Sequence, residues 1–173
     1  MNTMEAITSR YACRKFTKTQ LTDAETQALI QAANAAPAGM GDYSGLKLTV
    51  VQSQENLEAI EAAAAHGMPR MGDHPTYQAP TLMILSAKIN EQVPMISHCN
   101  VSAAAENIML AATDMGLASV FIMSVPAVIQ DKQELLEKLN IRDGFKPLVI
   151  VAVGHAESQM TVEKEKRLAV EIL

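Results

Sequence analysis

The chain has 173 residues, a length that fits one domain spanning residues 1–173. Hydrophobic residues make up 49% of it and charged residues 19%, so the composition excludes an intrinsically disordered protein. Lys and Arg number 14 against 19 Asp and Glu, and the resulting net charge of -5 argues against a nucleic-acid partner.

The predicted elements alternate between helices and strands. The spacing of apolar residues predicts helices over residues 2–10, 24–36, 54–66, 94–115 and 133–139. Short β-branched and apolar runs predict strands over residues 46–52, 81–87, 117–123 and 147–153. Thr22 is the expected N-cap of the second helix, and Gly116 is the expected stop of the fourth. This alternation predicts an α/β layered domain.

The predicted helix over residues 94–115 is apolar on nearly every side, which is typical of the centre of a fold or of a subunit interface. Five polar residues exclude a membrane-spanning helix: His98, Asn100, Glu106, Asn107 and Asp114. The first ten residues lack the apolar run of a signal peptide, and two cysteines are too few for a disulfide scaffold. We therefore expect a cytoplasmic protein with no membrane partner, and a structural, buried Cys99.

The first twenty residues carry a local excess of positive charge in an otherwise acidic chain. Arg10, Arg14, Lys15 and Lys18 stand against Glu5 alone. On a continuing helix Arg10 and Arg14 would share one face, and two guanidinium groups there suit a phosphate or a carboxylate. The alternative interpretation is a solvated basic face near a helix C-terminus, where cations are favoured anyway.

The loop over residues 36–41 is a second candidate site, because its glycines let the backbone approach a flat or charged ligand. A plain helix-to-strand turn is the alternative, since the loop matches neither a P-loop nor a dinucleotide-binding turn. The four histidines are scattered and no C-x-x-C pair occurs, so we expect no metal site. Glu106 is a lone carboxylate in an apolar helix, and we expect it to pair with a backbone or basic group.

Five segments follow one another in an order and spacing that resemble a single family. Residues 10–16 (RYACRKF) resemble an R-x-S-x-R-x-F element, and residues 35–41 (AAPAGMG) resemble an A-P-[SA]-[SG] loop. Residues 78–84 (QAPTLMI) match an A-P strand, and residues 149–155 (VIVAVGH) resemble a closing strand. Residues 107–117 (NIMLAATDMGL) match N-x-x-L-A-A-x-x-x-G-L. Together they resemble the FMN-dependent nitroreductase-like family over nearly the full chain.

The resemblance implies a fold and a function. The fold would be α+β, with a central, mostly antiparallel sheet flanked by helices and a long buried helix at a dimer interface. The cofactor would be FMN, held in the interface of a homodimer, with NADH or NADPH as hydride donor. The implied activity is reduction of a small flat acceptor, such as a nitroaromatic or a quinone, by a ping-pong mechanism.

The resemblance also implies cofactor-binding residues, and it assigns no general acid or base. Arg10 would hold the FMN phosphate with Tyr11 and Ala12 beside it, and Arg14 would face the pyrimidine end of the isoalloxazine. The edge of the ring would be covered by a loop from the partner subunit, made of Pro37, Ala38, Gly39 and Met40. The opposite side would be formed by Val120, Phe121, Ile122 and Met123. Two late basic residues would close on the phosphate: Lys166 and Arg167.

Two positions depart from the family pattern. Ala12 stands where the family usually has Ser, and Gly41 stands where many members have Asn. These departures leave two alternatives open. One is an FMN-binding storage or sensing module without turnover, and the other is a non-flavin α/β domain that uses Arg10 and Arg14 for a different phosphorylated ligand.

Overall fold

An antiparallel sheet forms the centre of the structure, a computed structural model that describes residues 1–67, 72–158, 160, 164–165 and 168–173. Within these residues the sheet has four strands, β1 (Leu46–Val51), β2 (Thr81–Lys88), β3 (Ala118–Ile122) and β4 (Phe145–Gly154). Their order is β1-β2-β4-β3, and every neighbouring pair is antiparallel. The expected α+β fold with a mostly antiparallel sheet is therefore confirmed.

Among the described residues there are six α-helices, five of which cover the two faces of this sheet while the first contacts the fourth. They are α1 (Thr3–Ser9), α2 (Asp23–Asn34), α3 (Gln54–Gly67), α4 (Pro94–Asp114), α5 (Ser124–Ile129) and α6 (Gln133–Lys138). On one face, α3, α5 and α6 enclose a core that we call the α3-face core, which includes Ile60 and Ile150. On the other, α2 and α4 enclose the α4-face core, which includes Leu29 and Ile108. Because both faces are covered, β2 and β4 are buried along most of their length, which explains their unbroken apolar runs.

The ends of two helices follow the predicted signals. Thr22 caps α2 in a capping box, because its hydroxyl accepts from the backbone N–H of Glu25 while the Glu25 carboxylate accepts from the backbone N–H of Thr22. At the end of α4, Gly116 adopts φ 75°, and Leu117 N–H donates to the carbonyl of Ala112 (2.8 Å). This is a Schellman motif, so the predicted stop at Gly116 is confirmed.

The helix α5 is absent from the sequence prediction. Its six residues include Pro126, Val125 and Ile129, none of which favours a helix in isolation. All three side chains are buried in the structure, and Pro126 stands in the first turn, where a missing N–H costs nothing. Tertiary burial against the α3-face core, and not local propensity, therefore forms this helix.

The helix α4 is buried along one side only in the single chain. Its exposed side carries Met95, His98, Cys99, Ser102 and Glu106. The expectation of a buried Cys99 is wrong, since the structure leaves this thiol on the exposed side. Among the described residues, no helix is long and apolar enough to cross a membrane.

Candidate functional site

The basic segment that follows α1 is extended, so the continuing helix that would place Arg10 and Arg14 on one face does not form. The helix ends at Ser9, and Arg10 is its C-cap with φ -55° and ψ 130°. Ala12 forms a parallel bridge with Ser119 of β3, and Cys13 N–H donates to the carbonyl of Ser119 (2.9 Å). Pairing with the edge of the sheet therefore draws residues 10–14 out of the helix and places them beside β3.

Alternation along this segment places the two arginines on the same side of an extended chain. Tyr11 and Cys13 pack into the α3-face core, whereas Ala12 and Arg14 are exposed. In an extended chain, residues two and four positions apart point to the same side. Arg10 and Arg14 therefore share a side through a strand-like period, and not through a continuing helix.

Arg10 has one ionic contact in the described part of the chain. Its Nε lies 3.8 Å from Oε1 of Glu106 on the exposed side of α4. The pairing expected for Glu106 is thus confirmed, but both side chains keep access to solvent, with 24% and 49% of their surfaces exposed. Because the contact uses Nε, the two terminal nitrogens of Arg10 remain available for a bidentate anion.

Arg14 makes no ion pair with any residue that the structure describes. Its guanidinium carbon instead lies 5.9 Å from the centre of the Tyr77 ring, within the range of a cation–π contact. Two guanidinium groups with free donors on one side of a segment form a donor set that fits a phosphorylated ligand.

The side chain of Tyr11 is engaged inside the protein. Burial raises the pKa of the Tyr11 phenol, as does the nearby Cys13 thiol, while a hydrogen bond from the Met160 backbone acts in the opposite direction. The phenol therefore stays protonated at neutral pH, and only the backbone of Tyr11 is free to face a ligand.

The C-terminal stretch returns to this same region. Besides the contact of Met160 with Tyr11, the ammonium of Lys164 donates to the carbonyl of Ile7 in α1. The stretch is thus docked on its own chain at these two points, whereas Leu168, Val170 and Ile172 are exposed. Lys166 and Arg167, the predicted phosphate contacts, lie outside the described residues.

The end of β3 contributes one exposed side chain to the candidate site. Val120 and Ile122 are buried in the α3-face core, and Phe121 packs against the α4-face core. Only their backbones can therefore face a ligand. Met123, which follows the strand and caps α5, is 60% exposed and can form an apolar wall.

The loop of Pro37, Ala38, Gly39 and Met40 is anchored to α4. Gly39 N–H donates to Oδ1 of Asn100 (2.8 Å), and a Cβ on Gly39 would lie 2.7 Å from Cδ1 of Ile96. A side chain at this position would therefore require the Ile96 side chain on α4 to move. Met40 has φ 62° and is 80% exposed, so it projects from the loop into solvent.

This loop and Arg10 contact α4 at different places within one chain. The loop contacts α4 at Asn100, whereas Arg10 contacts the same helix at Glu106. Six residues of helix separate these contacts by about 9 Å along the axis and about 120° around it. A cavity of about 110 Å³ lies beside the loop, lined by Pro37 and Tyr43 among others. That volume is well below the roughly 300 Å³ at which ligand pockets begin.

Comparison with known proteins identifies the family. The Nitroreductase family matches residues 7–155 of the chain. The chain belongs to the nitroreductase family. The family expected from sequence is therefore confirmed, and membership assigns the chain to a family of enzymes.

Individual relatives agree with this assignment. A protein of Methanothermobacter thermautotrophicus, provisionally named an NADH dehydrogenase/NAD(P)H nitroreductase, is 26% identical over 90% of this chain and 78% of its own length. A Bacteroides fragilis nitroreductase solved with bound FMN is 26% identical, with a TM-score of 0.82 over 100% of this chain and 99% of that one. A Desulfitobacterium hafniense nitroreductase with bound FMN, at 24% identity and a TM-score of 0.84, covers 99% of this chain and 100% of its own, and supports the fold.

Sequence reasoning missed two residues that contact the candidate nitroreductase site, Asn100 and Tyr77, and a third, Glu61, that binds the turn before Tyr77. Asn100 holds the glycine loop, and a buried amide in an apolar helix was the signal for such a role. Tyr77 and Glu61 lie on elements far from Arg14 in sequence, and no local pattern marks them. Among the described residues, no group of His, Cys, Asp and Glu could hold a metal ion.

Proposed function

We propose that this protein is an NAD(P)H-dependent FMN oxidoreductase that reduces a small flat acceptor, such as a nitroaromatic or a quinone, by a ping-pong mechanism. The observation that carries the proposal is that Arg10 and Arg14 occupy alternating positions along an extended segment beside β3, with terminal nitrogens that no ion pair of the described residues uses. The FMN-bound Bacteroides fragilis relative supports FMN as the cofactor, and the Methanothermobacter thermautotrophicus relative supports NADH or NADPH as the hydride donor.

The residues of this segment would hold FMN by charge and by backbone contacts. The terminal nitrogens of Arg10 take the phosphate, and the backbones of Tyr11 and Ala12 lie beside it. Arg14 faces the pyrimidine end, where a fixed positive charge favours negative charge on the ring. When bound, FMN supplies two-electron chemistry, taking a hydride from the nicotinamide at N5 and passing it to the acceptor.

The remaining residues would shape the space around the flavin ring. Residues 120–122 offer their backbones to one side, and the exposed Met123 forms an apolar wall. Lys166 and Arg167 close on the phosphate. Ala12 offers no hydroxyl where the family usually has Ser. Arg10 therefore contributes a larger share of the phosphate binding here than it would beside a Ser.

A homodimer completes the proposed site. The loop of residues 37–40 is bound to α4 at Asn100, about 120° around the helix from the contact of Arg10 at Glu106, which supports its use on the flavin of a partner subunit. Several exposed apolar side chains support an interface along α4, including Met4, Met40 and Met95, each at least 63% exposed. We further propose that residues 1–173 form a single FMN-binding domain, and that the protein is cytoplasmic, as its two free cysteines favour.

Titration of apo-protein with FMN, followed by quenching of flavin fluorescence, tests the phosphate assignment. Replacing Arg10 with Ala removes a charge-assisted pair of about 2–3 kcal/mol, so the Kd should rise about 30- to 150-fold. Arg142→Ala is the matched control, because Arg142 is exposed and donates only to the carbonyl of Glu137. Equal affinities of the Arg10→Ala variant and the unmodified protein would contradict the assignment.

A further inference from the structure

A short turn before β2 holds two successive non-glycine residues in the left-handed region. Tyr77 has φ 60° and Gln78 has φ 53°. For a residue with a Cβ, this region is higher in conformational energy than the right-handed region, so neighbouring contacts must stabilise the turn. The family resemblance assigns no flavin contact to either residue.

Glu61 of α3 supplies these contacts. One carboxylate oxygen accepts from both the backbone N–H (3.0 Å) and the hydroxyl of Thr76, which is 2% exposed. The other carboxylate oxygen lies 2.8 Å from Nδ1 of His74. Tyr77 N–H donates to the carbonyl of His74 (2.9 Å) and so closes the turn. Glu61 therefore binds the turn at both His74, where it begins, and Thr76, directly before Tyr77.

The turn presents the Tyr77 ring to Arg14. The ring packs against the α3-face core, and the guanidinium carbon of Arg14 lies 5.9 Å from its centre. Arg14 is otherwise exposed and has no ion pair in the described part of the chain. The ring is therefore the contact that restricts where this long side chain can lie.

We propose that Tyr77 is a positioning residue for Arg14, and that Glu61 holds the strained turn that presents it. This inference rests on the proposed function, because Arg14 matters for the flavin only if FMN binds beside it. A guanidinium held in one place stabilises developing charge better than a mobile one, since no reorganisation is needed when the charge forms. Tyr77 acts through Arg14 and does not touch the reacting atoms in this account.

The geometric part of the proposal can be tested without flavin. In the NMR spectrum of the apo-protein, a ring beneath the guanidinium shifts the Arg14 Hδ and Hε resonances upfield. This shift should persist in Tyr77→Phe and disappear in Tyr77→Leu and Tyr77→Asn. Asn tolerates the left-handed region, so Tyr77→Asn removes the ring while easing the turn and serves if the Leu variant fails to fold. Arg14 resonances that are the same with and without the ring would overturn the proposal.

The functional part is tested by the reduction potential of bound FMN in four single variants and one double variant. Arg14→Ala should lower the potential, because it removes a positive charge near the reduced ring. Tyr77→Leu and Tyr77→Asn should lower it by part of that shift, whereas Tyr77→Phe should leave it unchanged. The double variant Arg14→Ala/Tyr77→Leu should match Arg14→Ala alone, since Tyr77 has nothing left to position.

The outcomes separate this inference from the proposed function. An unchanged potential in the Tyr77 variants, or a drop that adds fully to that of Arg14→Ala, overturns the positioning role and leaves the flavin assignment intact. An unchanged potential in Arg14→Ala contradicts both the role of Arg14 and the inference built on it. Failure of the unmodified protein to bind FMN contradicts the proposed function and, with it, the functional part of this inference.

Discussion

Among single residues, Arg10 and Glu106 form the contact that bears most directly on anion binding. The two charged atoms are 3.8 Å apart and both side chains are partly exposed, so this ion pair contributes at most about 1 kcal/mol to the stability of the fold. A negative charge beside an arginine that binds a phosphate also repels that phosphate. Glu106 therefore matters more for the affinity of the site than for the stability of the fold.

Replacing Glu106 with Gln should tighten FMN binding. Removal of one negative charge near the phosphate is worth up to about 1 kcal/mol at this exposure, which corresponds to a Kd up to about fivefold lower. The gain should shrink as ionic strength rises, because exposed charges are screened. FMN titrations at low and high salt check this, and a weaker affinity in the Gln variant would mean that Glu106 orients Arg10 for binding.

The sequence indicated Arg10 and Arg14 as candidate site residues, but it did not indicate Tyr77. Arg10 and Arg14 stood out because four positive charges lie within twenty residues of an acidic chain. Their shared side was predicted for a helical reason, whereas pairing of Ala12 with Ser119 produces it through an extended chain. Tyr77 could not be predicted as the partner of Arg14, because the two meet only through tertiary structure and 62 residues separate them in sequence.

At the scale of elements, intrinsic signals predicted those helices whose ends carry capping residues. The capping box of α2 and the Schellman motif of α4 use residues that can be identified locally. The six residues of α5 form a helix only because Val125, Pro126 and Ile129 are buried together. An element with poor propensity and strong tertiary packing lies outside what a local pattern can predict.

The capping box of α2 predicts a pH dependence of stability. Hydrogen bonds from the backbone and the hydroxyl of Thr22 lower the pKa of Glu25 below 4.5 in the folded state. A lowered folded-state pKa contributes stability above the unfolded value, and this contribution is lost as the pH falls through the folded value. Glu25→Gln should therefore flatten the fall in unfolding free energy below pH 4.5.

Urea denaturation at a series of pH values between neutral and strongly acidic tests this prediction. Glu91→Gln is the control, since Glu91 is exposed in the loop before α4. If the Glu25 and Glu91 variants lose stability with the same dependence on pH as the unmodified protein, the capping contact does not contribute in solution.

At the scale of the whole molecule, the structure of one chain leaves its proposed site incomplete. Residues 37–40 contact α4 at Asn100, on a different side from the contact of Arg10 at Glu106, and the exposed side of α4 carries Met95, Cys99 and Ser102. The sequence predicted α4 as either central or interfacial from its apolar composition. Which side would remain exposed depends on how α2 and the sheet cover the helix, and no local pattern shows that.

A lysine in the middle of the exposed side of α4 tests the dimer. Ser102→Lys places a charge in the proposed interface, so light scattering should show the mass of one chain, 18.7 kDa, where the unmodified protein shows about twice that value. FMN affinity should fall in the same variant, because the partner's loop is lost. Ala62→Lys, at an exposed position of α3, should change neither property. A monomeric unmodified protein would contradict the dimer.

The visible absorbance spectrum of FMN-loaded protein, before and after anaerobic addition of NADH or NADPH, is the decisive test of the proposed oxidoreductase activity. We expect a flavin spectrum that bleaches when the nicotinamide is added and returns when an acceptor such as a quinone follows. A flavin spectrum that persists with both donors would instead support a storage or sensing module. A colourless protein that binds no added FMN would rule out the proposed cofactor and the activity that depends on it.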